Sequence, residues 1–210
     1  MEESLLELKS NIITYSGLLD LYKDKKNPKD KVYHILKNGE LIKIRRNLYV
    51  LGDRYKRGYS LASLANLVYG PSAISLEWAL SHHGLIPERV NLITSVCFKR
   101  KKMFQTPVGV FAYSCLPVDI YSVGIEYHQQ AEGNFLMASA EKALIDLIFL
   151  KKIKNLKSQS DHLGYLLDDL RIDEDALKKF NKKTLLQIKK VHSKEYVINF
   201  INTLISFSKR

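Results

Sequence analysis

The chain of 210 residues is poor in the residue types that build disulfide scaffolds and metal centres. It contains only two cysteines, Cys97 and Cys115, with no CxxC pair and no histidine at the spacing of a zinc ligand. So low a cysteine count is typical of proteins from a reducing compartment, where thiols stay free. We therefore expect two reduced, buried thiols, no disulfide and no metal site.

Long apolar runs are also missing. The N-terminal segment lacks the cationic start and the apolar stretch of a signal peptide. No run approaches the roughly 18 apolar residues that a membrane helix requires. The nearest, residues 143–150, is short and contains Asp146. These absences predict a soluble, cytoplasmic protein.

The motifs of several common enzyme classes do not occur. The sequence has no glycine-rich phosphate loop, no nucleophile elbow and no HExxH motif. Glu77 and His82 are five residues apart, so on one helix they lie roughly 140° from each other, which is poor for chelating one ion. Glu141 suits the first turn of a helix capped by Ser139, and Asp146 is expected to form a salt bridge or a hydrogen bond. We predict no enzymatic activity and no cofactor. The alternative is an enzyme that acts on nucleic acid or nucleotides. Metal-dependent turnover that is lost on mutation of Glu77 or Asp146 would favour this alternative.

Positive charge is what the chain has in excess. Lysine and arginine number 33 against 22 aspartates and glutamates, a formal net charge of +11. Residues 23–57 hold twelve cations and four anions, residues 161–175 hold six acids and one arginine, and residues 176–210 hold nine cations and one glutamate. Such a surplus favours polyanionic partners, because it raises encounter rates and adds salt-sensitive affinity. The hydrophobic fraction of 46% is that of a globular protein.

The most informative local pattern lies in residues 27–51. Asn27 and Pro28 are typical of the cap and first position of a helix, and Gly39 is suited to ending it. The predicted helix covers residues 28–38. Its apolar stripe consists of Val32, Ile35 and Leu36.

A two-stranded ribbon is predicted directly after this helix. Ile42 and Ile44 alternate with Lys43 and Arg45, which is the period of a half-buried strand. A turn at residues 45–47 follows, in which asparagine tolerates positive φ, and residues 48–51 return as the second strand.

Two further helices are predicted before residue 27. Ser4 and Glu7 form a capping-box pattern for the first, and Thr14 is a candidate cap for the second. Helix, helix, turn, helix and ribbon is the order of a winged helix-turn-helix, assigned here to residues 1–56. We expect helix 28–38 to enter the major groove while the ribbon contacts phosphates. The alternative is that these cations form only a solvated basic face of an ordinary helical domain. The residues predicted to bind DNA are Lys29, Tyr33, His34, Lys37, Lys43, Arg45 and Arg46.

A second, mixed α+β domain with terminal helices is predicted over residues 57–210. Its expected helices lie at 60–69, 75–83 and 139–150, its strands at 90–98, 108–115, 124–127 and 134–137, and more helices follow from about residue 161. His82 and His83 are expected to end a helix in a structural role. A cationic link between two strands is a candidate for secondary phosphate contacts, for contact with an acidic partner, or for a solvated hairpin. It comprises Lys99, Arg100, Lys101 and Lys102.

Two segments of this second domain resemble the AbiEi-type antitoxin family of type IV toxin–antitoxin systems. Residues 72–87, SAISLEWALSHHGLIP, are similar to the hallmark segment of that family, and residues 138–147, ASAEKALIDL, to its second signature. The ribbon at 41–51 resembles the wing of the family, with Asn47 where a glycine is usual. The resemblance covers roughly residues 1–155.

The resemblance implies a bacterial, phage-defence regulator that represses its own operon and counteracts a nucleotidyltransferase-like toxin. Operators in this family tend to be inverted repeats, so two copies per site are expected. Charge and periodicity alone lead only to binding of double-stranded DNA. The alternative is an interaction protein that neutralises a toxin by direct contact, without sequence-specific DNA recognition.

Overall fold

A computed structural model describes residues 3–208. The chain begins with a small unit of three helices and a three-stranded antiparallel sheet in the order β1-β3-β2. These elements are α1 (Glu3–Leu6), β1 (Ile12–Thr14), α2 (Tyr15–Leu21), α3 (Pro28–Lys37), β2 (Leu41–Arg45) and β3 (Leu48–Leu51).

Local signals explain α3 and the ribbon. Pro28 occupies the first turn, where its missing N–H would have no partner, although the side chain of Asn27 makes no capping bond. Gly39 ends the helix with φ +69, and Asn47 turns the ribbon with φ +66. The predicted helix, its glycine stop and the turn are thus confirmed.

One prediction for the first unit is wrong, and one strand was not predicted. Ser4 lies inside α1 and not before it, so it does not open the helix as a cap. The strand β1 was not predicted, because three residues give no alternation and their order comes from pairing with β3. Thr14 does cap α2, since its hydroxyl accepts from the Gly17 N–H at 3.2 Å.

The central strand β3 has both faces buried. Tyr49 and Leu51 pack with α2 and α3, whereas Leu48 and Val50 belong to the core of the following unit. The first unit therefore lies with one face of its sheet against the rest of the chain. Tyr55 still packs with the first core, and the boundary after residue 56 stays a prediction.

The second unit surrounds a six-stranded mixed sheet in the order β6-β7-β5-β4-β9-β8, with parallel β5–β7 and β4–β9 pairs. The strands are β4 (Ser72–Ile74), β5 (Ile93–Cys97), β6 (Lys102–Thr106), β7 (Gly109–Cys115), β8 (Ile125–His128) and β9 (Phe135–Ala138). The helices are α4 (Leu61–Val68), α5 (Leu76–His82), α6 (Val118–Tyr121), α7 (Ala140–Lys151), α8 (Gln159–Gly164), α9 (Glu174–Lys178), α10 (Lys182–Val191) and α11 (Glu195–Phe207). A 3-10 turn at Asp53–Tyr55 and a π turn at Tyr165–Asp169 complete them. The fold is α+β, as predicted, and none of the helices in residues 3–208 is long and apolar enough to cross a bilayer.

Strand β6 changes the interpretation of the cationic link. The sequence suggested that residues 99–102 join two strands directly, but β6 starts at Lys102 and forms a hairpin with β7. Strand β4 was likewise unpredicted. Strand β4 has only three residues and pairs with strands far along the chain, whereas β6 pairs with the strand that follows it directly.

A buried polar network fixes α7 within this unit. The Lys142 ammonium donates to Asp146 one turn later, and both side chains have no exposed surface. The hydroxyl of Ser75, at the turn between β4 and α5, donates to the other carboxylate oxygen at 2.8 Å. Asp146 therefore forms both of the predicted contacts, an ion pair and a hydrogen bond to the β region. Glu141 accepts from the Asn181 N–H at 2.6 Å, which ties α7 to the start of α10.

Candidate nucleic-acid interface

The exposed face of α3 carries the residues predicted to read DNA. Lys29, Tyr33 and Lys37 occupy positions i, i+4 and i+8, so they form one stripe along the helix. His34 lies beside the stripe, with its ring 5.7 Å from that of Tyr33. All four side chains are exposed, and Tyr33 keeps 63% of its surface accessible. The stripe thus faces solvent while Val32 and Ile35 anchor the opposite face.

The tip of the ribbon divides its two arginines between different surroundings. Lys43, Arg45 and Arg46 are all exposed. Arg45 also donates from its guanidinium to the carbonyl of Val68 in the second unit. The pairing of β2 with β3 shifts between Lys43 and Arg45, and such a bulge redirects the side chains on either side of it. Arg45 thus links the ribbon to the second unit while its side chain stays exposed, and its contact with DNA remains a prediction.

Arg45 joins a cluster that the sequence did not reveal. Its guanidinium carbon lies 5.9 Å from the ring centre of Phe104. The Lys102 ammonium lies 5.9 Å from the same ring and 5.4 Å from that of Tyr69, over which Lys99 also sits at 5.8 Å. We call these five residues the Tyr69 cluster.

The Tyr69 cluster brings three positive charges around two aromatic rings that are 5.7 Å apart. Lys99 donates to the carbonyl of Gly70 at 2.6 Å. Within residues 3–208, none of the three cations forms an ion pair with a carboxylate. Ring faces attract cations, but only by about 0.5–1 kcal/mol at exposed sites, so the mutual repulsion is only partly offset. An anion at this surface would relieve it.

The aromatic base of the cluster is rigid. Tyr113 lies below Tyr69 and Phe104, at ring distances of 5.2 and 5.8 Å, and its hydroxyl donates to the carbonyl of Ala65 at 2.6 Å. Burial raises the pKa of Tyr113, and the nearby guanidinium of Arg45 acts in the opposite direction. The phenol stays protonated at neutral pH and serves as a fixed support.

The remaining two cations of the predicted link, Arg100 and Lys101, are exposed in the turn between β5 and β6. All four link cations therefore lie at the surface, and two of them meet the ribbon arginine. Lys102 and Phe104 share one face of β6, but residues 102–106, KMFQT, show no regular apolar–polar alternation that would predict the strand. No sequence signal pairs either residue with Arg45.

We predict that only one of the two ribbon arginines contributes measurably to stability. Arg45→Ala is expected to lower the free energy of unfolding by about 1–2 kcal/mol, because it removes a charge-assisted hydrogen bond and a ring contact. Arg46→Ala is expected to change it by less than ~0.5 kcal/mol. Urea unfolding of both variants measures this difference, and equal losses would show that Arg45 does not connect the two units.

The paired histidines have structural contacts. The ring of His82 stacks on Trp78 at 5.2 Å, and His83 lies 2.9 Å from the carbonyl of Ala138. They end α5, as expected, although His83 contacts a carbonyl of β9 and not one of its own helix. Glu77 pairs with Lys151 at 3.0 Å. In the described part of the chain, no three His, Cys, Asp or Glu side chains are placed to hold one metal ion.

The described residues thus define an α+β protein in which a small helical unit and its ribbon lie against a larger mixed-sheet unit. No protein-family model and no curated protein sequence matches the chain. Among solved structures, it is similar to the RV2827C protein from Mycobacterium tuberculosis, with a TM-score of 0.51 and 13% identity. The match covers 98% of this chain and 79% of that one. At this identity the likeness concerns the fold alone.

Proposed function

We propose that this protein binds double-stranded DNA through a winged helix and acts as an autorepressor and antitoxin of a toxin–antitoxin operon. The first unit has the element order helix, strand, helix, helix, strand, strand, with the β1-β3-β2 sheet. In this assignment α2 and α3 are the helix-turn-helix pair, and the β2–β3 ribbon is the wing.

Helix α3 would be the recognition helix. Its ten residues span about 15 Å, enough to lie in a major groove. Tyr33, His34 and Lys37 would be nearest the base edges, and Lys29 would contact phosphate. Arg46 and Lys43 would hold the backbone beside the groove.

The Tyr69 cluster is the single observation that carries the proposal. Three cations that have no acidic partner among residues 3–208 meet at the place where the wing reaches the second unit, although they come from parts of the sequence 54 to 57 residues apart. Phosphates of the duplex beyond the groove would neutralise them, which makes the cluster an extension of the wing. In this proposal the secondary contacts at Lys99–Lys102 extend the phosphate contacts of the wing.

The antitoxin part of the proposal depends on the resemblance to the AbiEi-type family. The two segments that carry the resemblance form β4 with α5 and the end of β9 with α7. They meet through the Ser75–Asp146 hydrogen bond. These patterns therefore serve the core of the second unit, and we propose that this core supports antitoxicity against a nucleotidyltransferase-like partner. Action in the cytoplasm, with two copies on an inverted repeat, completes the proposal.

Titration of the full chain against the duplex upstream of its own reading frame tests the proposal. A shuffled duplex of the same length and composition is the control. We expect the upstream duplex to bind at least tenfold more tightly, since specific sites exceed non-specific DNA by large factors. Equal affinities, together with co-purification of the neighbouring gene product, would instead favour the interaction protein that neutralises a toxin by contact.

A further inference from the structure

Two adjoining clefts lie where α7 ends and α11 begins. The first, of about 310 Å³, is lined by Phe149, Leu150, Lys152, Lys154, Lys194 and Tyr196. The second, of about 370 Å³, shares Lys154 and Tyr196 with the first, so the two form one groove. It also takes in Leu156, Lys157, Asn199 and Glu195, the one acidic side chain among the residues that line the two clefts. We call this surface the Lys154 groove.

The backbone holds the groove in place. Helix α7 stops at Lys151, and Lys152 adopts the left-handed conformation with φ +53, which turns the chain sharply. The following segment ends at Ser158, which opens α8 with a capping box. Tyr196 stands between the two clefts, and its hydroxyl donates to the carbonyl of Phe149 at 3.2 Å. The groove is therefore built from fixed elements on both sides.

The rim of the groove is strongly cationic. The sequence KKIKNLK at 151–157 contains four lysines and no acid. Lys151 pairs with Glu77. In the described chain, Lys152, Lys154, Lys157 and Lys194 form no ion pair with a carboxylate, and all four are exposed. The rim thus offers several positive charges that a ligand can neutralise.

The floor of the groove is apolar. Phe149, Leu150 and Leu156 are half-buried there. Phe149 and Leu150 line the first cleft, Leu156 lines the second, and Tyr196 lines both. Protein interfaces gain most of their affinity from large side chains in such apolar pockets, while charges at the rim affect the association rate and the choice of partner. A phosphate backbone has no apolar group to occupy them. This combination favours a peptide segment over nucleic acid.

We propose that the Lys154 groove docks an acidic segment of a partner protein that carries large apolar anchor residues. The proposal is independent of DNA binding, because the groove shares no residue with α3, the wing or the Tyr69 cluster. It gives the chain a separate surface for protein contact.

A labelled peptide in which glutamates surround two leucines is a suitable probe, measured by fluorescence anisotropy with the full chain. The triple variant Lys152→Glu, Lys154→Glu, Lys157→Glu should weaken binding by about tenfold or more, as close charge pairs are reversed. The matched control reverses three exposed lysines on α10, namely Lys182→Glu, Lys183→Glu and Lys190→Glu. We expect the control to weaken binding less than about threefold, because only the net charge changes and salt screens distant charges.

A second peptide separates anchoring from charge. Replacing both leucines by serine keeps the charge and should also lower the affinity by about tenfold, since two apolar side chains are no longer buried in the groove. Equal losses in the groove variant and the control variant would overturn the proposal. Equal binding of the two peptides, or no binding to the unmodified protein, would also overturn it. The proposal would likewise fail if a short DNA duplex bound the same lysines more tightly than the leucine peptide does.

Discussion

Asp146→Ala is expected to lower the free energy of unfolding by about 3–5 kcal/mol. The substitution leaves the ammonium of Lys142 fully buried without its counter-charge. Removing one partner of a buried pair costs far more than the pair contributes, because the remaining charge keeps its desolvation penalty. The Ser75 hydroxyl loses its acceptor as well. Urea unfolding followed by circular dichroism measures the loss.

A double variant that removes both charges distinguishes this cause from simple loss of packing. Lys142→Met combined with Asp146→Leu removes both charges and keeps most of the volume, so it should restore stability to within about 2 kcal/mol of the unmodified protein. Ser75→Ala alone should cost only about 1–2 kcal/mol, since it removes one neutral donor. An Asp146→Ala variant that loses less than about 1 kcal/mol would contradict the buried pair.

Tyr33→Ala is expected to weaken binding to the upstream duplex by about ten- to a hundredfold, corresponding to one base contact of ~1–3 kcal/mol. Its affinity for the shuffled duplex should change little, because Tyr33 carries no charge. Lys29→Ala should instead weaken both duplexes to a similar degree and reduce the salt dependence by about one unit. Competition titrations with the two duplexes measure both effects.

The two substitutions control for each other. Both side chains are exposed on α3, so neither should change the free energy of unfolding by more than ~0.5 kcal/mol. If Tyr33→Ala lowered the affinity for the two duplexes equally, α3 would not be the element that reads sequence. If neither variant changed any affinity, α3 would lie away from the DNA.

Elements with signals of their own were predictable from the sequence. Pro28, Gly39 and Asn47 each require a particular backbone conformation, and these requirements located α3 and the turn of the ribbon. Ser139 and the dense apolar pattern after it located α7. Strands β1 and β4 escaped prediction because they have three residues each and pair with strands distant in the sequence, whereas β6 lacks a regular apolar–polar alternation.

The candidate site divides in the same way. The stripe on α3 follows from helical spacing, so the structure places it as predicted. The Tyr69 cluster depends on a bulge in β2 and on the contact between two units, neither of which has a local signal. The spacing of Lys142 and Asp146 is that of a helical ion pair, so the partner of Asp146 was open to prediction, whereas Ser75 was not.

The dependence of binding on salt tests most directly whether α3, the wing and the Tyr69 cluster form one duplex-binding surface. The logarithm of the binding constant for the upstream duplex is measured against the logarithm of salt concentration. We predict that the variant Arg46→Ala, Lys99→Ala, Lys102→Ala reduces the slope by roughly three units, about 0.9 for each lost phosphate contact. The matched removal of Lys182, Lys183 and Lys190 on α10 should leave the slope nearly unchanged. A slope that stays the same in the first variant, or falls equally in both, would contradict the account.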